Sequence, residues 1–212
     1  MDDGSSSVDT SIKLLNILKN EGVKFVCLTS HFYPMKESID EFLLRRNEAY
    51  KKLNYDDIKC LLGAEVHYYR GISTNDELDK LCLENTNLLL IELSFNTIIN
   101  DNVINELVNI KNKGYRVLLA HIERYGLDEN IIRNLHNKGI LLQINTEFIN
   151  GIFSSRKALK WLKCGYIDAI GSDTHDLDKR IPNYAKAMNK IENKLGRQFL
   201  DQFIEKTYKI IK

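Results

Sequence analysis

Apolar stretches of two kinds alternate along the chain. Six are continuously apolar and predict β-strands, at residues 23–28, 58–66, 88–93, 116–120, 140–144 and 167–170. Apolar residues at helical spacing predict eight helices, the first from Val8 until Gly22 ends it and the others at residues 39–53, 76–83, 103–112, 129–137, 155–163, 183–194 and 198–210. Residues 29–36, which include Pro34, predict a loop. Strands without polar alternation, separated by helices, indicate a parallel sheet covered on both faces, and we expect one α/β domain over residues 1–212.

Most of the predicted strands end on, or just before, a residue that can bind a metal ion or move a proton. These residues are His31, Glu65, Glu92, His121, Asp173 and His175. The carboxyl ends of parallel strands share one edge of a sheet or barrel, so we expect the six side chains to converge there. Any one of them alone is about as often structural, for example as a buried ion-pair partner. Their recurrence at equivalent strand ends predicts a multi-metal hydrolase site.

The donor types indicate the cation and the chemistry of such a site. Three imidazoles mixed with three carboxylates suit Mn, Zn or Fe better than Ca or Mg. Two such ions about 3.5–4 Å apart can activate a water molecule and hold a phosphate. Arg124 and Arg180 follow the predicted ligands closely in the sequence, and the planar guanidinium group suits bidentate capture of phosphate. Either arginine alone would more often form a surface ion pair.

Two further histidines are weaker candidates. His67 follows Glu65 by two residues, so both side chains face the same side of an extended strand. His67 nevertheless lies beyond the predicted end of that strand, and we expect it to fall outside the ligand set. His136 lies within a predicted helix and is expected on the surface.

Composition excludes several classes of protein. The 212 residues include 30 Lys and Arg against 29 Asp and Glu, and a net charge of +1 gives no reason to expect nucleic acid or an anionic membrane as a partner. The apolar runs are only a few residues long, so neither a signal peptide nor a membrane span is predicted. The four cysteines lack a C-x-x-C pair, which favours reduced thiols in a cytoplasmic protein. None has an arginine six positions later, which excludes a cysteine-phosphatase mechanism.

Six segments, taken in order, resemble a known family. They are Thr29-Ser30-His31, Gly63-Ala64-Glu65, Ile91-Glu92-Leu93-Ser94-Phe95-Asn96, Ala120-His121-Ile122-Glu123-Arg124-Tyr125, Gln143-Ile144-Asn145, and Ser172-Asp173-Thr174-His175 with Arg180. The family is that of the bacterial PHP-type protein-tyrosine phosphatases of capsule and exopolysaccharide operons, the CpsB/YwqE type. The similarity runs from Asp2 to the C-terminus, and the A-H-I-E-R-Y and S-D-x-H segments are specific in combination.

The resemblance implies a fold, a cofactor and a substrate. The fold is the polymerase-and-histidinol-phosphatase (PHP) type, a distorted (β/α)7 barrel, and the cofactor is Mn2+, with Fe, Zn or Mg as alternatives and up to three ions. The implied metal ligands are His31, Glu65, Glu92, His121, Asp173 and His175. Arg124 and Arg180 would hold the phosphate, and Asp173 is a candidate for proton transfer. The implied partner is the phosphotyrosine tail of a cognate bacterial tyrosine kinase that controls polysaccharide export.

The N-terminus departs from the family pattern. The family opens with a strand carrying His-x-His, followed by an Asp-Asp-Gly-Ser-like turn, whereas here Asp2-Asp3-Gly4-Ser5 follows Met1 directly. The first barrel strand and two imidazole ligands are therefore expected either upstream of Met1 or to be missing from a degenerate homologue, and we favour the first. In the chain as written, at least one metal position is expected to be weakened.

Two other functions stay open on the sequence. One is a PHP-type phosphoesterase for a small molecule such as histidinol phosphate, which a pocket too narrow for a peptide would favour. The other is a catalytically impaired homologue that binds the kinase tail through Arg124 and Arg180. Metal content measured together with turnover separates these classes.

Overall fold

Eight α-helices and six β-strands lie within residues 4–95 and 97–212, the part of the chain that the computed structural model describes. The strands are β1 (Phe25–Phe32), β2 (Lys59–His67), β3 (Leu88–Glu92), β4 (Arg116–Leu119), β5 (Leu141–Asn145) and β6 (Ala169–Gly171). The helices are α1 (Val8–Asn20), α2 (Ile39–Leu53), α3 (Asp101–Asn112), α4 (Glu129–Asn137), α5 (Thr146–Asn150), α6 (Ser155–Lys163), α7 (Tyr184–Leu195) and α8 (Arg197–Ile210). Short 3-10 helices lie at Ile72–Thr74, Leu78–Leu81 and Ile122–Tyr125.

Local sequence explains where the helices begin. At α2, the Ser38 hydroxyl accepts the backbone N–H of Glu41 at 3.3 Å, and the Glu41 carboxylate accepts the backbone N–H of Ser38 at 2.8 Å. This capping box satisfies two backbone donors that the first helical turn leaves open. At α4, the Asp128 carboxylate accepts the backbone N–H of Ile131 at 2.8 Å in the same way. Helices α2 and α4 thus start where a short polar side chain follows a loop.

The strands form one parallel sheet in the sequential order β1 to β6. An open doubly wound sheet reverses its strand order part-way, whereas a barrel wall keeps consecutive strands adjacent. The sheet therefore has the topology of a barrel wall, with six strands in the described residues. The α/β fold predicted from the alternation of strands and helices is confirmed.

Alternate residues of each strand face opposite sides of this wall. Residues on the outer side, among them Ala64, Ile91 and Leu119, belong to the large core that the sheet forms with the helices. Residues on the inner side form a smaller apolar cluster that includes Leu61, Leu88, Leu118 and Ala169. On β2, every second residue from Leu61 faces this inner side, and Glu65 is one of them. The inner row of β3 continues from Leu88 to Glu92, so the inner wall turns polar towards the carboxyl ends.

Three local features differ from the predictions. β1 continues to Phe32, so residues 29–32 are strand and not loop, because they pair with residues 63–66 of β2. The helix predicted at residues 76–83 is wrong, because this segment contains only the 3-10 helix Leu78–Leu81, whose three-residue repeat is enough to bury both leucines. The 3-10 helix Ile122–Tyr125 and α5 were not predicted, because each is too short for an apolar period to be visible.

Among residues 4–95 and 97–212, no helix is both long enough and apolar enough to cross a membrane. Asp2 and Asp3 of the turn motif, and Asn96 of the segment that follows β3, lie outside the described residues.

Candidate metal centre

Four buried or nearly buried donor side chains meet on the inner side of the wall, at the carboxyl ends of β1 to β4. His31 and Glu65 pair across β1 and β2, Glu92 ends β3, and His121 follows β4. His31 Nδ1 lies 3.8 Å from Glu65 Oε2 and 3.7 Å from Glu92 Oε2, and one donor atom from each of these three residues lies within 4.8 Å of the others. His121 Nε2 lies 2.8 Å from Glu65 Oε1 and 3.2 Å from Glu92 Oε1. Glu65 and Glu92 thus each lie close to both His31 and His121.

The charges of these groups depend on one another. Burial lowers the pKa of His121, but its contacts with Glu65 and Glu92 outweigh burial and raise the pKa to about 9. Burial raises the pKa of Glu92, but its contacts with His121, and then with His31, outweigh burial and leave the pKa below its usual value. A proton on His121 therefore offsets part of the carboxylate charge, and a cation could replace that proton.

His121 is held from two sides. Its backbone N–H donates to Gln143 Oε1 at 2.7 Å, and its φ of 29° lies in the left-handed region. Its ring Nδ1 lies 3.2 Å from the hydroxyl of Tyr125, which also accepts the backbone N–H of Leu93 at 3.0 Å. Burial raises the pKa of Tyr125, so this hydroxyl stays neutral. A hydrogen bond at Nδ1 turns Nε2 towards the carboxylates, an arrangement typical of a metal-binding histidine.

A second group forms around Asp173, which follows β6 and has a φ of 48°. Its Oδ2 accepts hydrogen bonds from Arg124, from Arg180 Nη2 at 2.9 Å and from Asn145 Nδ2 at 3.2 Å. His175 Nδ1 lies 2.8 Å from the backbone oxygen of Asp173. The rings of His175 and His31, with centroids 6.0 Å apart, connect this group to the first.

The structure therefore brings all six predicted ligand residues into one region, with both arginines at its border. The side chains of His31, Glu65, Glu92 and His121 are at most 13% exposed, whereas those of Arg124 and Arg180 are 23% and 31% exposed. The two arginines are thus more exposed than these four side chains. Two cavities of about 310 and 200 Å³ lie away from this region, beside Arg46 and Lys80 and beside Phe25 and Tyr208.

Several side chains of the site were misplaced or missed by sequence reasoning. His67 is the last residue of β2 and not beyond its end, and its Cα pairs with that of Glu92. Tyr125, Gln143 and Asn145 belong to the segments that carry the resemblance, but their contacts could not be deduced from those segments. In β5, Gln143 and Asn145 alternate with apolar residues, and this period of two could have marked them as inner-facing.

The donor set fits a divalent cation of borderline hardness, such as Mn, Fe or Zn, because it mixes imidazole nitrogens with carboxylate oxygens. Glu65 and Glu92 would repel each other when buried together unless a proton or a cation lies between them. In addition, Nδ1 of His67 is buried and makes no hydrogen bond to any of the described residues. The residues present therefore fit a metal centre.

Comparison with known proteins identifies the family. The family model described as "Capsular polysaccharide synthesis, CpsB/CapC" matches residues 1–212. The chain belongs to the CpsB/CapC family. Tyrosine-protein phosphatase CpsB of Streptococcus agalactiae serotype V is 30% identical over 236 residues, which cover 100% of this chain and 94% of that protein. Tyrosine-protein phosphatase CpsB of Streptococcus pneumoniae is 31% identical over 234 residues, which cover 100% and 93%.

A solved structure shows that the CpsB/CapC chain has the expected fold. It comes from work on YwqE from Bacillus subtilis and CpsB from Streptococcus pneumoniae, described there as unique metal-dependent tyrosine phosphatases. The TM-score is 0.86 at 22% identity, and the match covers 100% of this chain and 90% of the other. The PHP-type fold and the resemblance to the CpsB/YwqE family, both expected from the sequence, are confirmed.

Proposed function

We propose that this chain is a metal-dependent protein-tyrosine phosphatase. The observation that carries the proposal is the position of Arg124 and Arg180, which flank Asp173 next to the buried cluster of imidazoles and carboxylates. Guanidinium groups beside a cation site suit a phosphate ester, because both neutralise the charge of the phosphoryl oxygens. The names of the relatives from Streptococcus agalactiae and Streptococcus pneumoniae support the same activity.

The residues that would hold the cations are those brought together by the fold. They are His31, Glu65, Glu92, His121, Asp173 and His175. We propose Mn2+ as the cation, with up to three ions. When bound, a divalent cation supplies Lewis-acid polarisation of the phosphoryl oxygens and lowers the pKa of water.

The other residues bind, orient and move protons. Arg124 and Arg180, whose side chains are partly exposed, bind the phosphoryl oxygens through their guanidinium groups, and Asp173 sets the direction of both groups. Asp173 is also the nearest carboxylate to the arginines and is proposed as the proton acceptor for water. Tyr125 keeps His121 in one ring orientation. Tyrosinate is a fair leaving group because phenol has a pKa of about 10, so a strong general acid is not required.

The proposed substrate is phosphotyrosine on the tail of a bacterial tyrosine kinase that controls capsule or exopolysaccharide synthesis, in the cytoplasm. Two findings support it: the family description refers to capsular polysaccharide synthesis, and the relatives are named tyrosine-protein phosphatases. A flexible peptide tail can present a phosphotyrosine to a site whose arginines reach the surface.

The test is hydrolysis of a phosphotyrosine peptide by the purified protein loaded with Mn2+. Turnover is expected to stop in excess chelator and to fall by more than about 100-fold in His121→Ala, which removes a proposed ligand. His136→Ala is the matched control, because His136 lies on α4 against Tyr166, away from the site. Undiminished activity in chelator would reject the metal mechanism. Faster hydrolysis of histidinol phosphate than of the peptide would favour the small-molecule alternative.

A further inference from the structure

His67 occupies a position in the site that the proposed ligand set does not use. It lies on the same face of β2 as Glu65, and the strand register pairs it with Glu92 on β3. Its Nδ1 lies 3.5 Å from Glu92 Oε2, and its Nε2 lies 2.8 Å from the hydroxyl oxygen of Ser94. The imidazole thus stands between Ser94 and a carboxylate of the metal centre.

Neither neutral form of the His67 ring makes good contacts at both nitrogens. If Nε2–H donates to Ser94, the lone pair of Nδ1 points towards the negative Glu92 carboxylate, and the two repel. If Nδ1 carries the proton instead, the 3.5 Å to Glu92 Oε2 exceeds the usual range of about 2.7–3.2 Å for an N–H···O hydrogen bond. Nδ1 is buried and has no hydrogen-bond partner within the described chain. A positive species between Nδ1 and Glu92 would resolve this conflict.

The spacing matches two atoms that share a cation. Ligand atoms about 2.1 Å from a tetrahedral ion lie roughly 3.4 Å apart. His67 Nδ1 lies 3.5 Å from Glu92 Oε2, and His31 Nδ1 lies 3.7 Å from the same oxygen. By contrast, His121 Nε2 lies at hydrogen-bond distance, 2.8 Å, from Glu65.

We propose that His67 is a further metal ligand, which binds through Nδ1 a cation that Glu92 also binds. Ser94 fixes the ring by accepting the hydrogen from Nε2, as partners of metal-binding histidines commonly do. The alternative is a packing role, in which His67 only contacts the ring of Tyr33, whose centroid is 5.3 Å away. This inference rests on the proposed function only in requiring that the site binds a divalent cation.

The experiment is a titration of the metal-free full chain with Co2+, followed by visible absorption, and with Mn2+, followed by the free-ion signal in electron paramagnetic resonance. His67→Ala is expected to weaken the affinity for one cation by about 100-fold and to change the Co2+ spectrum, because a nitrogen ligand is lost. Ser94→Ala is expected to weaken it by about 10-fold, as is typical when a partner of a ligand is removed. His136→Ala serves as the matched histidine control and should leave both signals unchanged.

A further variant distinguishes a role of His67 as a metal ligand from a role as a hydrogen-bond donor to Glu92. In His67→Asn, the amide nitrogen can donate to Glu92 from nearly the position of Nδ1, so this variant would restore affinity if His67 only positioned Glu92. Unchanged affinity and spectrum in His67→Ala, or full rescue by His67→Asn, would overturn the inference. Neither result would contradict the proposed phosphatase function. A wild-type protein that binds no divalent cation would overturn both the inference and the proposed function. Thermal unfolding of each metal-free variant checks that it is folded.

Discussion

Binding of a divalent cation at the site should release a proton from His121. In the metal-free protein the pKa of His121 is about 9, because the contacts with Glu65 and Glu92 outweigh the effect of burial. A group with this pKa is about 99% protonated at pH 7. An imidazole nitrogen must lose its proton before it binds a metal ion. Glu92 has a pKa below its usual value and is already ionised, so it contributes no proton.

The size of the effect follows from this pKa. About one proton should leave His121 at pH 7 when the cation that it binds enters the site. Between about pH 6 and pH 8, both below the pKa of 9, the apparent dissociation constant for that cation should fall about tenfold for each pH unit, or about 100-fold in all. Above about pH 9 the dependence on pH should level off.

The assay is calorimetric titration of Mn2+ into metal-free protein at pH 7, in two buffers with different ionisation enthalpies. The difference between the two observed enthalpies gives the number of protons released. His121→Gln is the control, since the glutamine side chain carries no titratable proton, and it should release about one proton fewer than the wild type. Equal enthalpies in both buffers, or equal proton release by the variant, would refute the reasoning.

Three further predictions concern the substrate, the stability of the metal-free protein, and the core. Arg124→Lys should lower kcat/KM for a phosphotyrosine peptide by about 10–100-fold, because lysine lacks the planar set of N–H donors that the guanidinium group offers a phosphate. Arg133→Lys should not, since Arg133 is exposed on α4 and donates to Asn130. The pKa of His121 is about 9 in the folded protein and 6.5 ordinarily, so its contribution to stability is complete below pH 6.5 and is lost as the pH rises through 9. In urea unfolding of the metal-free protein, the free energy of unfolding should fall by up to about 3 kcal/mol over this range. His121→Gln should not show this fall. Phe42 is fully buried, so Phe42→Ala should lower the free energy of unfolding in urea by about 3–5 kcal/mol. Leu44 is 63% exposed, so Leu44→Ala should change it little. Equal losses in the two variants would contradict the assignment of the core.

The centres of the strands were predictable because both of their faces are apolar. The ends of β1 and β2 were not, because the inner face turns polar there: His31 and His67 continue the strands although the hydrophobic pattern has stopped. Residues at alternate positions of β5 show the same limit, since Gln143 contacts His121 only because β4 and β5 are paired in this register. Such contacts depend on register between strands, and a single sequence carries little information about register.

Contacts among charged groups were harder still to foresee. The sequence places Arg124 and Arg180 near predicted ligands, but their meeting on one oxygen of Asp173 depends on the paths of the 3-10 helix after β4 and of the segment after β6. The hydroxyl of Tyr125 reaches His121 because a single 3-10 turn follows β4. Elements of one turn have no visible period, so their side-chain directions emerge only from the folded chain.

The left-handed backbone at His121 and Asp173, with φ of 29° and 48°, has a consequence for engineering. A side chain at such a position costs roughly 1 kcal/mol relative to glycine, which adopts this conformation freely. At neutral pH this saving is smaller than the contribution of up to about 3 kcal/mol that the contacts of His121 with Glu65 and Glu92 make, so directed evolution under heat selection alone should retain histidine at position 121. Glycine becomes competitive there only above about pH 9, where that contribution is lost, and it would yield hardy but inactive proteins. A library intended to give a durable catalyst has to be screened for turnover in the same round as for heat resistance.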